Sequence, residues 1–389
     1  MPSGLFVFVL LAGAAALAQI NPTKLPEPFH SPAANNRPEV VARPAGARLV
    51  LPAGFQIEAY AEGFARPRFL LLGPSQELLI SDSNNRPRGA VYVLVKNERR
   101  KLIDGLDRPY GLALWEDYLY VAETTSLKRY KYDPKSMTVG AGEEVVPMPD
   151  FGGGHWTRTV LFDRRGEKMY LTIGSGSNVA TGEDPRRAAI NRYNPDGSGH
   201  EIYATGLRNV IGLRWYPGSE DLWAATQERD GLGDDLVPDY FTKVRQGGFY
   251  GWPYAYVGPN EEPRNQGQRT DLVAKTVVPD VLLGAHVAVL DCLFYSGGMF
   301  PQKYRGGALL ALHGSSNRAK RIGYSVVFVP FRDGKPTAGP EDFLTGFMLD
   351  PDKREVWGRP VGLMELPDGS LLVSDDGGNK IWRVSYGGR

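Results

Sequence analysis

The sequence predicts an all-β chain, a six-bladed β-propeller closed by an N-terminal strand that joins the last blade. Three observations carry that reading. A unit of three or four short apolar strands recurs along the chain at spacings of roughly 40 to 80 residues, the mark of a radial repeat. The 47 glycines and 30 prolines supply the tight turns that many short strands require. Long helical periodicity is absent. A β-sandwich, the structural competitor, would not demand such a repeat.

The units follow in order. The first opens with GFARP at 63–67 and continues in apolar runs at 69–72, 78–82 and 91–94. The second opens with GLDRPYGL at 105–112, followed by runs at 118–123 and 127–130. The third holds GGGHWTRT at 152–159 and a run at 170–173. The fourth opens with GLRNVIGL at 206–213 and continues at 221–226. Two long insertions follow it, at 227–253 and 257–280, and insertions of this kind tend to gather on a functional face. The fifth carries runs at 308–313 and 324–328, and the sixth GRPVGL at 358–363 with runs at 370–375 and 380–384. The last unit offers three strands, and FQIEAY at 55–60 is a strand without a unit. Pairing 55–60 with 381–384 or its neighbour satisfies two open edges at once.

Ahead of the repeat, residues 5–18 are apolar or small and end in ALA at 16–18, the pattern of an export signal over 1–18. The protein is therefore expected to be secreted or periplasmic, with membrane contact only if that segment stays uncleaved. Residues 19–45 are rich in Pro and Asn and read as a linker, which leaves 46–389 for the propeller as the catalytic domain. Lys+Arg 45 against Asp+Glu 44 gives a net charge of +1, and no basic stripe suggests nucleic acid. The single cysteine, Cys292, excludes an intrachain disulfide and reads as a buried, inert thiol.

In a propeller the ends of the inner strands and the loops after them surround the central channel, so the repeated motifs are expected to converge there. His155, on a Gly-rich turn, is the side chain best suited to take a proton near neutral pH; the plainer alternative is an ordinary loop histidine. Arg208, Asn209, Asn317, Arg318, Lys320 and Arg359 form a polar and cationic set suited to an anionic ligand with several carboxylates or phosphates. The alternative for each cation is a local ion pair. The stretch ERDGLGDD at 228–235 is acidic and broken by glycine, as oxygen-rich calcium loops are, and it could equally be a solvated loop. There is no HExxH, CxxC, P-loop, GxGxxG before a helix, or GxSxG elbow, so zinc, nucleotide and serine-hydrolase chemistry lack their markers.

Seven motifs together resemble the glucose/sorbosone dehydrogenase family, the soluble quinoprotein sugar dehydrogenases, most of all its sorbosone-dehydrogenase-like branch. They are GGGHWTRT at 152–159, DPRRAAINRYNPDGSG at 184–199, ATGLRNVIGLRW at 204–215, ERDGLGDDLVPDY at 228–240, GGFYGWPYAY at 247–256, HGSSNR at 313–318 and WGRPVGL at 357–363. The resemblance implies a propeller that binds pyrroloquinoline quinone (PQQ) over a Ca²⁺ ion. It implies His155 as general base, with Arg208 and Asn209 beside the quinone and substrate. It implies Glu228, Arg229 and Asp230 as the source of calcium oxygens, partly from backbone carbonyls. Asn317, Arg318, Lys320 and Arg359 would then hold the cofactor. Relatives often place an Asp behind the base where this chain has Ser175, which leaves the orientation of His155 open. The implied activity is oxidation of an aldose-like sugar at its anomeric carbon to a lactone, with electrons passed to an external quinone, cytochrome or dye. A calcium-dependent propeller lactonase, or a non-catalytic sugar- or protein-binding propeller, are the alternatives.

Overall fold

The computed structural model describes residues 21–96 and 98–387. The stretch read as an export signal therefore lies outside the described residues. Among those described, no helix is long and apolar enough to cross a membrane.

Six four-stranded antiparallel sheets form the blades. Their inner strands are Pro67–Leu72, Leu112–Trp115, Val160–Phe162, Asn209–Trp215, Val289–Phe294 and Pro360–Glu365, each hydrogen-bonded to the next strand of its own blade. The sequence units correspond to these sheets. The fifth begins earlier than its most conspicuous runs, on the inner strand that contains Cys292, whose thiol burial pushes well up.

The middle strands explain the continuous apolar runs. Leu78–Asp82, Tyr118–Ala122, Met169–Ile173, Ala308–Leu312 and Leu371–Asp375 each face a neighbouring blade on both sides and are almost wholly buried. The outer strand Glu98–Leu106, by contrast, is mostly exposed and begins with four exposed charged residues, Glu98, Arg99, Arg100 and Lys101. The hydrophobic core is accordingly not one central mass. It is a series of slabs between adjacent blades, such as Phe69, Leu79 and Val91 of the first against Leu112, Leu119 and Val121 of the second. The slab between the last blade and the first joins Leu372 and Ile381 to Leu70 and Ile80. Each slab is stable only while both of its blades are in place.

The ring closes as the strand count requires. Phe55–Glu62 runs antiparallel to Lys380–Tyr386, pairing Ile57 with Val384 and Ala59 with Trp382. Phe55 anchors the closure through edge-on contacts with the rings of Phe300, Tyr304, Phe343 and Tyr386, at centroid distances of 4.8 to 5.3 Å.

Residues 21–45, linker-like in composition, lie against the propeller. Glu39–Val40 pairs in parallel with Glu355–Val356, and Leu25 packs on the cluster of Leu232, Leu236, Val237, Tyr256 and Val257. Composition could not show this, because the contacts are made largely by backbone groups and single side chains rather than by a periodic apolar face.

Phe55→Ala is expected to cost about 3 kcal/mol, since an aromatic packed among four others leaves a cavity that rigid strands cannot fill. Phe29→Ala, at a ring 57% exposed, should change stability by less than about 0.5 kcal/mol. Urea unfolding of the two variants checks the contrast.

Candidate active site

At one end of the propeller the turns before three of the inner strands, those of the first, second and last blades, are gripped by a carboxylate from the end of a neighbouring strand. Asp82 accepts the backbone N–H groups of Ala65 and Arg66 at 2.8 and 2.7 Å. Glu123 accepts that of Asp107 at 2.6 Å, and Asp375 those of Arg359 and Gly378 at 2.7 Å each. These carboxylates end the apolar runs at 78–82, 118–123 and 370–375. The inner strands of four blades are also bulged, between Pro67 and Leu70, Val210 and Gly212, Val289 and Asp291, and Pro360 and Leu363. Bulges at strand ends re-aim side chains, here toward the axis.

The turns enclose a cavity of about 300 Å³, at the small end of the range for ligand sites. His155, Arg208, Asn209, Glu228, Asp230, Asn317 and Arg359 all line it, as the sequence led one to expect. Three expected residues do not. The Arg229 side chain is fully buried behind the wall, paired with Glu228 at 3.0 Å and Glu262 at 3.3 Å, so only its backbone could face a metal. Arg318 turns to Asp235 at 2.6 Å and to the Asp234 carbonyl. Lys320 is exposed opposite Asp352 at 3.6 Å. Local carboxylates took these cations, the outcome that a single sequence cannot distinguish from ligand binding.

Sequence reasoning missed Arg68, Trp156, Gln227, Asp239 and His286, which also line the cavity. Arg68 follows the RP dipeptide of the first unit by one position, and Trp156 neighbours His155, so both were within reach of a closer reading of the repeat. His286 has no local motif; only the fold brings it to Asp230.

His155 is held by Ser175. Its Nδ1 lies 2.9 Å from the Ser175 carbonyl and 3.0 Å from Ser175 Oγ, while that hydroxyl donates to the Ser177 carbonyl at 2.6 Å. A carbonyl can only accept, so Nδ1 carries the proton and Nε2 is left as the acceptor. Below the turn, the fully buried Arg158 donates to the carbonyls of His155, Thr157 and Phe151 at 2.8 to 2.9 Å. Burial, reinforced by the Arg208 charge, lowers the His155 pKa to about 3, so the apo imidazole is neutral.

The cavity is electrically divided. On one side stand Arg68, Arg359 and His313, backed by Asp376, which pairs with Arg68 and accepts from His313 Nε2 at 2.8 Å. Burial alone would raise the Asp376 pKa, but Arg68, His313 and Arg359 hold it well below the usual range. On the other side stand Glu228, Asp230 and Asp239, with Arg208 reaching the Glu228 carbonyl at 2.7 Å and Asp230 at 3.4 Å. Burial raises Asp239 to about 7. Burial would lower the His286 pKa, but two acceptors, Asp230 at 3.1 Å and the Gly233 carbonyl at 2.9 Å, raise it above its ordinary value.

Several buried polar atoms of the wall have no partner among the described residues: Asn209 Oδ1, Glu228 Oε1 and Arg68 Nε. Orphans of this kind are costly unless a ligand or ion meets them. No group of three His, Cys, Asp or Glu side chains among the described residues could by itself hold a metal ion.

Fold and site together define a six-bladed propeller with a divided, ligand-accepting cup at one channel mouth. The TrAA12-like family matches residues 49–239 and 242–387, and the chain belongs to that family. It is 28% identical over 356 residues to an uncharacterized protein of Borreliella burgdorferi, covering 87% of this chain and 91% of that one. It is 27% identical over 323 residues to a pyrroloquinoline quinone-dependent pyranose dehydrogenase of Coprinopsis cinerea, covering 66% of this chain and 43% of that protein's length. In fold it is similar to the calcium structure of the Trichoderma reesei carbohydrate-active enzyme of family AA12, with a TM-score of 0.75 at 21% identity over 90% of this chain and 99% of that one.

The two depressed histidines give a pH dependence. His155 and His313 are both lowered from 6.5 to about 3, so the unfolded chain binds more protons than the folded one between those values. Their contribution to stability is complete above about pH 6.5 and is lost as pH falls toward 3. The urea midpoint of the ligand-free protein should therefore drop between pH 7 and pH 4.5, and drop less in His155→Gln; an equal drop in both would show that His155 does not titrate in this way.

Proposed function

We propose that this chain is a PQQ-dependent sugar dehydrogenase. In this reading it oxidises an aldose-like sugar at the anomeric carbon to a lactone and passes the electrons to an external acceptor. The observation that carries it is the divided cavity, with arginines on one wall and a neutral, oriented histidine on another. The 27% identical pyranose dehydrogenase, named for PQQ, supports the cofactor.

The residues fit such a cofactor. Three carboxylates call for cations, and Arg68, Arg208 and Arg359 line the cavity with Asn317, Arg68 still having a donor to give. A calcium ion would draw on the unpartnered Glu228 Oε1 and Asn209 Oδ1, with Asp230 and backbone carbonyls nearby. Calcium takes six to eight oxygens, and no three-carboxylate cluster is present, so the ligand's own oxygens would complete the shell. Held by these residues, the quinone would supply the electrophilic, hydride-accepting chemistry, and the metal would increase that electrophilicity.

The chain's own part is to position the sugar and move one proton. His155 Nε2 accepts the proton of the anomeric hydroxyl. Ser175 fixes the tautomer that leaves Nε2 free, and Arg158 fixes the turn. A base with a pKa of about 3 is weak, but the negative charge of a bound polycarboxylate raises it toward the working range. Trp156, Ile211 and Leu290 give the cavity an apolar side that keeps water from the reacting centre. The residues 5–18 suit an exported enzyme. A lactonase would leave the arginines of the wall without a purpose.

The decisive experiment is reconstitution. Purified protein titrated with PQQ and Ca²⁺ should develop the bound-quinone absorbance, oxidise aldoses with a dye acceptor, and lose activity on chelation. Absence of PQQ uptake would remove the proposal and leave a binding propeller.

His155→Ala should retain PQQ and lose at least about 10²-fold in kcat. Wild-type turnover in that variant would place the base elsewhere.

Arg359→Ala should weaken PQQ binding by about tenfold to a hundredfold, the loss of one charge-assisted contact. Arg318→Ala should change it little, because Arg318 is engaged by Asp235. Fluorescence or absorbance titration separates the two.

A further inference from the structure

The segment 21–41 precedes the residues matched by the family, which begin at 49, yet it contacts two loops that contribute to the cavity wall. One loop, 228–237, brings Glu228 and Asp230; the other, 313–321, brings Ser316 and Asn317. Asn36 directs its backbone N–H and both ends of its side-chain amide to the second loop. Its backbone N–H donates to the Ser316 carbonyl at 2.8 Å. Its side-chain amide donates to the carbonyls of Arg318 and Ala319 at 3.2 and 2.8 Å. Its Oδ1 accepts from Arg321 at 2.7 Å. Arg321 is itself buried, at 1% exposure, with no carboxylate partner among the described residues; it donates also to Arg37, Ser315 and Lys353 carbonyls. The same strap holds the first loop. Phe29 N–H donates to the Leu232 carbonyl, and Ser31 Oγ accepts from the Asp234 N–H, both at 2.8 Å.

We propose that this N-terminal strap is a working part of the ligand site, and that Asn36 is a positioning residue which fixes Ser316 and Asn317 in the cavity wall. Loops carry freedom that binding would otherwise have to remove. A strap that bridges both removes it in advance, and it does so through backbone carbonyls, which no repeat motif encodes. The proposal rests on the PQQ reading for the identity of the ligand, but not for the ordering of the loop.

The test compares Asn36→Ala with Phe55→Ala, a variant that weakens the ring closure and contributes no group to the cavity. In Asn36→Ala, amide exchange at 313–321 should accelerate about tenfold while the strand Leu371–Asp375 stays protected. PQQ affinity should fall about tenfold, with kcat at saturating PQQ within about twofold of wild type. In Phe55→Ala, PQQ affinity should be unchanged. Ser31→Ala, which removes one bond to the first loop, serves if Asn36→Ala does not fold, and should accelerate exchange at 228–237. Unchanged exchange in the affected loop overturns the proposal. So does faster exchange with unchanged PQQ affinity, which would make the strap a purely structural brace. If the wild-type protein takes up no PQQ, the function proposed above fails by itself and with it the strap's part in binding that ligand, while the exchange measurement still decides whether Asn36 orders the loop.

Discussion

The grip of strand-end carboxylates on the turns before the inner strands is the constraint on which the rest of this molecule depends. A propeller blade ends in a tight turn whose backbone N–H groups cannot join the sheet and cannot be buried unpaired. Asp82, Glu123 and Asp375 meet them from the ends of the middle strands. Each such bond joins a charged acceptor to a neutral donor and contributes about 1.5 to 3 kcal/mol, against a burial cost that the low-dielectric setting makes large. Asp375 shows both sides: burial raises its pKa, while the N–H groups of Arg359 and Gly378 and the Trp382 indole pull it back. The same grips set where Arg359 begins its side chain, so the scaffold and the cationic wall are one construction.

Charge separation within the cup follows from which blades contribute. Arg68 and Arg359 come from adjacent blades at the point where the ring closes, with Asp376 between them. Glu228, Asp230 and Asp239 come from the fourth blade, where the longest insertions lie. An anion with an oxygen-rich edge would meet cations at one end and cation-seeking oxygens at the other. The neutral His155 sits on the third blade, next to the acidic side, with its tautomer fixed by a serine rather than a carboxylate. That choice matters electrostatically. A carboxylate at Ser175 would raise the imidazole pKa; with none there, burial and Arg208 dominate.

Closure is enforced twice. The strand Phe55–Glu62 completes the last blade, and residues ahead of it brace the loops of the fourth and fifth blades. The first device is a sheet pairing driven by open edges and an aromatic cluster. The second is a set of single hydrogen bonds from side chains such as Asn36 and Ser31.

The sequence by itself determined the number of blades, their order and the closing strand, because strand burial between blades imposes continuous apolar runs and turn chemistry imposes Gly, Pro and acidic ends at fixed places. It also determined that His155, Arg208, Asn209, Glu228, Asp230, Asn317 and Arg359 meet, since repeat motifs at one end of a ring have nowhere else to converge. Only the tertiary structure decided which cations face the ligand. Arg229, Arg318 and Lys320 sit in equally suggestive motifs, but each has a carboxylate close by in space, and a Coulombic partner a few ångströms away outcompetes a distant cavity. Only the tertiary structure, too, brought His286 to Asp230 and laid 21–45 against the loops beside the cavity, because those contacts join residues far apart in sequence, the latter largely through backbone groups that every residue possesses and no pattern reveals.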